Sequence, residues 1–538
     1  LHVAAALNEL PRQVVRAYFT FASRLVPWVI RRRIASHPRE QRRLRRAYGV
    51  QPRTPILPWG PELEAAVEAF AASNPQARFA YTSGSTNRPK KIAFTPRRLA
   101  QIKRASLEAA VQAGRAHRVL RPTLFVLAAL REDDSLSTLV LDEGRATSYS
   151  DGLVMPSRYL WEPELRGVLE AHGSTATRLW LLLLSNPGIV YSTNPSTLAV
   201  FLGKLEDEWE SARSLAQAWA RDPRSFDEGA ARVARRVVAP GWARRLRLAA
   251  ESSQPPPLHA LFPGLAAYCC WDGGYVVPFL DRIRASLPPP RFGHIPMYSM
   301  STETLETQAY YERGRTHFLP ISPGVLYEFL PEGAEDDPLA LLPARALQPG
   351  ANYSMVVSDP YGLTRYATGD VFACVDRVRE VPDLRFLRRR GLAYSFTGEK
   401  LTGEQVEAAF ARLPKEAGLP SGVQLTLIPA LGAEGDLPHY RLVLAHSSTR
   451  PPATEVDPGP CLDRLLSTQN REFAGKLASG RLGPTRAVTL AYDDFAQLLS
   501  GASGGGESER SWETQFKLVP LYTRRWAELG LPPEVGAQ

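Results

Sequence analysis

The spacing of apolar and polar positions changes period several times along this chain. Residues 12–47 place apolar side chains at helical spacing, interrupted at Pro27, with Trp28 and many arginines nearby. This pattern is read as a helix packed on its own domain, in preference to one lying on a membrane surface. From residue 55 to 390, strand-like and helix-like runs alternate: RFAYTS, KIAFT and a helix from Arg97, then TLFVLAAL, GIVYSTN and a helix opened by Asn194-Pro195. The asparagine can accept from an orphan amide, and proline suits the first helical position. Such alternation predicts a layered α/β domain. Residues 331–350, PEGAEDDPLALLPARALQPG, read as a surface excursion between two strands.

After Arg390 the units shorten. EQVEAAFARL predicts a helix, VQLTLIPAL and YRLVLAHSS two strands, CLDRLLSTQNREFAGKL one further helix, AVTLAY a strand and DDFAQLL a helix. Together they describe a small α+β domain of roughly 150 residues. The expected fold is therefore α/β, with a large multi-layer α/β domain over 1–388 and a smaller, mobile α+β domain over 389–538. Gly501 to Gly506 form a flexible tether ahead of SWETQFKLVP. No internal repeat is evident.

Length and composition narrow the class. A chain of 538 residues exceeds one typical core, and 44% hydrophobic with 22% charged residues suits a folded protein. No apolar run approaches the roughly 20 residues that span a bilayer, and the first residues lack a secretory pattern. The four cysteines are too few for a disulfide framework and lack the spacing of a zinc site, which points to a reducing, cytoplasmic setting. The net charge of +10 raises nucleic acid as a partner, but only eight of the 65 basic residues are lysines, and the 57 arginines are mostly scattered. A lysine within a candidate site is correspondingly informative.

The segment YTSGSTNRPKK, Tyr81 to Lys91, lies between two apolar runs. Ser83, Ser85 and Thr86 offer hydroxyls, Gly84 permits close backbone approach, and Lys90 or Lys91 supplies positive charge. These are the requirements of a phosphate site; the same residues also suit a hairpin with a polar tip. The ending is not that of a Walker loop. Further along stands Ser301-Thr302-Glu303, whose Thr-Glu pair on its own equally suits an ordinary surface. Next comes Tyr366, followed by Thr368-Gly369-Asp370 ahead of an apolar strand, a run that on its own also reads as a turn.

The Tyr81 segment resembles the phosphate loop of the adenylate-forming enzymes, with Asn87 and Lys91 in place of two glycines. The ordered set VLYEFLP, NYSMVVSDPYGLTRYATGDVFACV, PDLRFLRRR, FTGEKLTGEQV and TQFKLVPL resembles the plant auxin-conjugating acyl acid amido synthetases and their bacterial relatives. The resemblance spans nearly the whole chain from about residue 80. It implies an ATP site of Ser83, Gly84, Ser85, Thr86 and one of Lys90 or Lys91, with Thr302 nearby, Glu303 holding Mg2+, and Tyr366 and Asp370 meeting the nucleoside. Arg389, flanked by Arg388 and Arg390, falls at the family's domain hinge. Lys517 matches the lysine of the family's Gln-Tyr-Lys-x-Pro ending, with one extra residue, and Lys400 its Gly-Asp-Lys segment near the hinge; both are the catalytic candidates the resemblance implies.

The implied reaction has two steps: attack of a carboxylate on the α-phosphate of ATP, then attack of an amine, such as that of an amino acid, on the acyl-adenylate. The substrates are thus a small carboxylic acid and an amine, with no nucleic-acid partner, no membrane insertion and a monomer as the expected state. One alternative is an acyl-CoA ligase sharing the first step. Another, of a different class, is a basic nucleic-acid-binding protein that has lost catalysis.

Overall fold

The computed structural model describes all residues except 82–89, 118, 120–123, 128–135, 137, 138, 140–162, 193, 194, 224, 225, 273–276, 298–300, 335, 336, 391, 392, 395, 397, 398, 400, 421, 422, 432–436, 447–456, 492, 493, 495–518 and 532–538. Two compact units result. The first comprises 1–273 and 283–387, the second 274–282 and 388–538.

The first unit opens with helix α1 (His2–Ala47), which continues through Pro27 without a break. The expected interruption is thus corrected. A proline forfeits one intrahelical N–H bond and crowds the preceding turn, but tertiary contacts hold the helix on both sides. Upstream, Asn8 and Arg12 donate to the carbonyls of Val237 and Val238 at the end of the helix Glu228–Val237. Downstream, Ile30 and Ile34 are buried against Tyr310, Leu319 and Ile321. Helix α2 (Pro61–Ala72) follows, and helix α3 (Pro96–Ala116) packs close to α1. A Cβ on Gly114 of α3 would lie 2.6 Å from the Phe19 ring, so the contact depends on the missing side chain.

Strands β1 (Arg78–Tyr81) and β2 (Lys91–Phe94) form an antiparallel pair with Tyr81 opposite Lys91. Strands β3 (Leu124–Val126), β4 (Ile189–Tyr191), β5 (Ala267–Cys270) and β6 (Gly293–Pro296) make a fully parallel sheet in sequential order. Parallel strands need crossovers and both faces covered, hence the surrounding helices. The helix Arg166–Ser185 carries LWLLLL, apolar all round and buried all round, with Trp180 edge-on to Trp219 at 4.8 Å. Leu99 and Ile102 of α3 share a core with Ile189, Ala267 and Ile295 of the sheet. A further helix begins at Pro195, as expected; Asn194 lies outside the described residues.

Strands β7 (Gln308–Glu312) and β8 (Arg315–Leu319) form a hairpin. A five-stranded sheet follows, built from β9 (Leu326–Pro331), β10 (Leu342–Pro343), β11 (Asn352–Ser358), β12 (Tyr366–Val378) and β13 (Val381–Arg389), in the order β10-β9-β11-β12-β13. Leu63 and Val67 of α2 cover it, packed with Tyr327, Phe329, Met355 and Phe372. The excursion expected at 331–350 returns to the body: β10 pairs with β9, and Ala344 and Leu347 are buried in this core. Burying those apolar side chains outweighs the loop-forming tendency of their Gly, Pro and Asp neighbours.

In the second unit, β14 (Ala393–Tyr394) pairs with β15 (Leu401–Thr402), and β16 (Gln424–Ala430), β17 (His439–His446) and β18 (Arg486–Ala491) form a mixed sheet. The helix Gly403–Phe410 starts with a capping box between Thr402 and Gln405. The single helix expected over CLDRLLSTQNREFAGKL is two, Gly459–Gln469 and Arg471–Ala478. Asn470 leaves helical geometry and its side chain accepts from the Phe473 amide, which ends one helix and caps the next. Val519 to Tyr522 bonds along the open edge of β16, and Leu521 enters the core beside Leu427 and Tyr440. The helix expected at DDFAQLL and the glycine tether fall mostly or wholly outside the described residues.

Candidate functional site

Three of the sequence motifs converge within the first unit. Lys90 stands one residue ahead of β2, Glu303 in the turn before β7, and Tyr366 at the start of β12. The Lys90 Nζ lies 2.5 Å from Glu303 Oε1 and 2.8 Å from the Tyr366 hydroxyl, which itself donates to Glu303 Oε1 at 3.0 Å. All three side chains are buried. A buried ammonium and carboxylate are tolerable only when paired and hydrogen-bonded, as these are.

Local structure fixes each member. Tyr366 is held from outside its sheet: Leu57 N donates to Arg365 O and Ala367 N donates to Leu57 O, both at 2.9 Å. That connection brings Trp59 edge-on to the Tyr366 ring at 5.9 Å, and Lys90 Nζ sits 5.7 Å from the Trp59 ring centre and 5.4 Å from that of Tyr366. The aromatic faces therefore stabilise the ammonium further. Glu303 is fixed through its backbone. Arg98, near the start of α3, donates to the Glu303 carbonyl, to Ala93 O at 2.8 Å and to Asp359 Oδ2 at 3.2 Å. Burial lowers the Arg98 pKa while Asp359 opposes the shift; burial likewise raises that of Asp359 against the pull of Arg98. Asp359 also accepts from the Tyr361 and Leu363 amides, which closes the turn between β11 and β12.

Lys91 goes elsewhere. Its Nζ reaches Glu68 at 3.1 Å and lies 4.3 Å from the Phe79 ring centre, on the surface. Adjacent strand positions point to opposite faces, so one lysine enters the cluster and its neighbour leaves it. Thr302 lines a small recess with Arg98, Ser301, Thr304, Asp359 and Tyr361. Thr304 Oγ1 is buried there without a hydrogen-bond partner among the described residues. Asp370 is buried four residues beyond Tyr366, where the β11–β12 register shifts. Gly369 adopts φ +80 in that bulge, and the Asp370 amide donates to Thr368 Oγ1 at 3.1 Å. A bulge re-aims side chains along a strand, and the left-handed conformation accounts for glycine there.

Arg389 ends β13, and its side chain is outside the described residues, as are Ser83, Gly84, Ser85, Thr86, Lys400 and Lys517. Sequence reasoning missed Trp59, Arg98 and Asp359. No local signal separates buried Arg98 from exposed Arg97; only the helix face turned to the core distinguishes them.

Among the described residues Lys90 pairs with Glu303 and Arg98 with Asp359, and Glu303 is the carboxylate that could share a divalent ion with incoming phosphates. Mg2+ characteristically takes one or two carboxylates and completes its shell with phosphate oxygens and water. Among the described residues no group of three or more His, Cys, Asp or Glu forms a metal cage. A single carboxylate, Glu303, with the unpartnered Thr304 hydroxyl close by in sequence, suits the shared arrangement instead.

Residues 318–389, which include β9 to β13, match the GH3 family central domain. Among curated proteins, the chain is 26% identical over 200 residues to the "Probable indole-3-acetic acid-amido synthetase GH3.9" of Oryza sativa subsp. japonica, covering 35% of this chain and 45% of that protein. It is 26% identical over 391 residues to the human GH3 domain-containing protein, covering 70% of this chain and 69% of that one. The match to the rice protein thus spans less than half of its length. Among solved structures, a GH3.15 acyl acid amido synthetase in complex with 2,4-DB superposes with a TM-score of 0.65 at 15% identity, over 88% of this chain and 86% of that one. The α/β fold expected from the sequence and its resemblance to this family are both borne out.

Proposed function

We propose that this chain is an ATP-dependent acyl acid amido synthetase, a ligase that forms carbon–nitrogen bonds. The meeting of Lys90, Glu303 and Tyr366 carries the reading. Three motifs that are separately weak come together as one buried polar cluster, in a chain bearing the GH3 family central domain. In the first step a carboxylate oxygen attacks the α-phosphate of ATP and pyrophosphate leaves. In the second an amine, such as that of an amino acid, attacks the acyl carbonyl and AMP leaves.

Positioning and charge stabilisation supply the catalysis, with no side-chain nucleophile. Lys90 is held by Glu303 at rest and exchanges that partner for phosphate oxygens when ATP binds. Glu303 would hold the magnesium, which would supply charge neutralisation. Arg98 keeps the Glu303 backbone in place through this exchange. Ser83, Gly84, Ser85 and Thr86 are assigned to the phosphates, and Tyr366 and Asp370 to the nucleoside. The domain 389–538 would carry Lys400 and Lys517, which neutralise charge at the α-phosphate, with residues 385–400 as the hinge. Four cysteines without a disulfide support a reducing, cytoplasmic setting.

Pyrophosphate release over a panel of carboxylic acids, with and without each amino acid or CoA, tests this reading. Acid-dependent release with an amide product on adding an amino acid is expected, and Lys517→Ala should reduce it. Thioester on adding CoA identifies the ligase alternative. If no acid stimulates release and Lys517→Ala changes nothing, the assignment fails.

A further inference from the structure

Helix α1 has two unlike faces. Its inward face is docked through Asn8, Arg12, Ile30, Ile34 and His37. On the opposite face Val3, Leu7, Val14, Tyr18, Phe21, Leu25 and Trp28 are between 47% and 74% exposed. They are seven of the thirteen exposed large hydrophobic side chains among the described residues. At 100° per residue they fall within an arc of about 80° and run for about 38 Å along the axis. This is a continuous stripe rather than the scatter of apolar groups common on protein surfaces.

The charge along α1 indicates what the stripe meets. From residue 10 to 39 there are seven arginines and no Asp or Glu. Arg31 and Arg33 turn toward Glu312 and Glu108, whereas Arg24, Arg32 and Arg39 are exposed. Arg32 and Arg39 continue the line of the apolar stripe beyond Trp28, and Arg32 lies over the Trp28 ring at 5.7 Å. Pairing with a second copy would ordinarily place carboxylates beside the apolar seam to meet such arginines, and this stretch has none. From Leu7 to Trp28 the exposed apolar positions keep a heptad spacing, so it is the missing carboxylates, not the spacing, that weigh against a second copy. A one-sided apolar face with tyrosine, tryptophan and unopposed arginines is the pattern of a helix lying in the headgroup region of a bilayer. No helix among the described residues is long and apolar enough to cross one.

We propose that the outward face of α1, from Val3 to Arg39, docks this protein onto an anionic lipid surface. Tyr18, Phe21, Leu25 and Trp28 enter the headgroup layer, and Arg24, Arg32 and Arg39 meet lipid phosphates and carboxylates. The helix lies flat, because its inward face stays bound to the protein. This surface is separate from the Lys90–Glu303 cluster, so the proposal stands or falls independently of the synthetase reading.

Flotation of the full chain with vesicles tests it. The protein should rise with phosphatidylcholine vesicles containing phosphatidylserine, not with phosphatidylcholine alone, and binding should weaken as salt is raised. Arg32→Gln with Arg39→Gln should lower partitioning roughly 30-fold, taking about 1 kcal/mol per arginine at about 1.4 kcal/mol per tenfold. Phe21→Ser with Trp28→Ser should abolish it. All four side chains are exposed, so unchanged melting of the variants separates lost docking from lost folding. Absence of flotation, or equal flotation with both vesicle types, overturns the proposal. So does a dimer in sedimentation velocity that Phe21→Ser with Trp28→Ser makes monomeric while vesicles stay unbound, since the stripe would then belong to a second copy.

Discussion

Lys90 and Glu303 lie 213 positions apart in the chain and meet at 2.5 Å in a buried site capped by Tyr366. Each helps to offset the other's loss of hydration. Lys90→Met should therefore deprive the Glu303 carboxylate of this ammonium and destabilise the first unit by about 3–5 kcal/mol, as for other broken buried pairs. Chemical denaturation would show it. Lys90→Met with Glu303→Leu should regain most of that stability yet remain unable to release pyrophosphate. A double variant that regains activity would remove both residues from the chemistry.

Lys91 supplies the contrast. Its contact with Glu68 is exposed on both sides, and such pairs contribute about 0–1 kcal/mol. Lys91→Ala should leave stability and pyrophosphate release close to the parent values. A loss of activity on the scale of Lys90→Met would show that the phosphate lysine has been misassigned.

Arg98 and Arg97 form a similar pair of neighbours. Arg98→Ala removes the donor that ties the Glu303 carbonyl to Asp359, leaving a buried carboxylate unpaired, at a cost on the order of 3 kcal/mol. Because Arg98 is a positioning residue, Arg98→Lys should retain the fold better than Arg98→Ala while still lowering the pyrophosphate-release rate. Arg97→Ala should be silent in both measurements.

His37 should confer acid sensitivity. It is buried in α1 with Nε2 2.9 Å from the Pro320 carbonyl, and burial holds its pKa down to about 4 against an ordinary 6.5. The unfolded chain then binds the proton more readily than the folded one. The stabilising contribution is complete above pH 6.5 and is lost as pH falls toward 4. Its full size is about 3 kcal/mol from the shift. Melting of His37→Gln should fall less steeply than the parent across that window; identical slopes would assign the acid sensitivity to other groups. His294, also held down to about 4, persists in both proteins as the background.

The chain's local order was largely legible in its sequence. Strand periods, the helices over EQVEAAFARL and from Pro195, and the succession of motifs around Glu303, Tyr366 and Asp370 all depend on neighbours a few residues apart. Such spacing establishes that a segment is a strand or helix, and which chemistry it carries. It could not decide between Lys90 and Lys91, because which face of β2 turns inward depends on partners over 200 residues away. The same holds for Arg98 over Arg97, for α1 passing unbroken through Pro27, and for residues 342–347 returning to the sheet. In each case the deciding free energy is burial against distant elements, which outweighs a local preference of about a kilocalorie or, at proline, roughly three. The sequence by itself thus determined the elements and their candidate chemistry, while the tertiary structure decided which of two adjacent, chemically equivalent side chains enters the site.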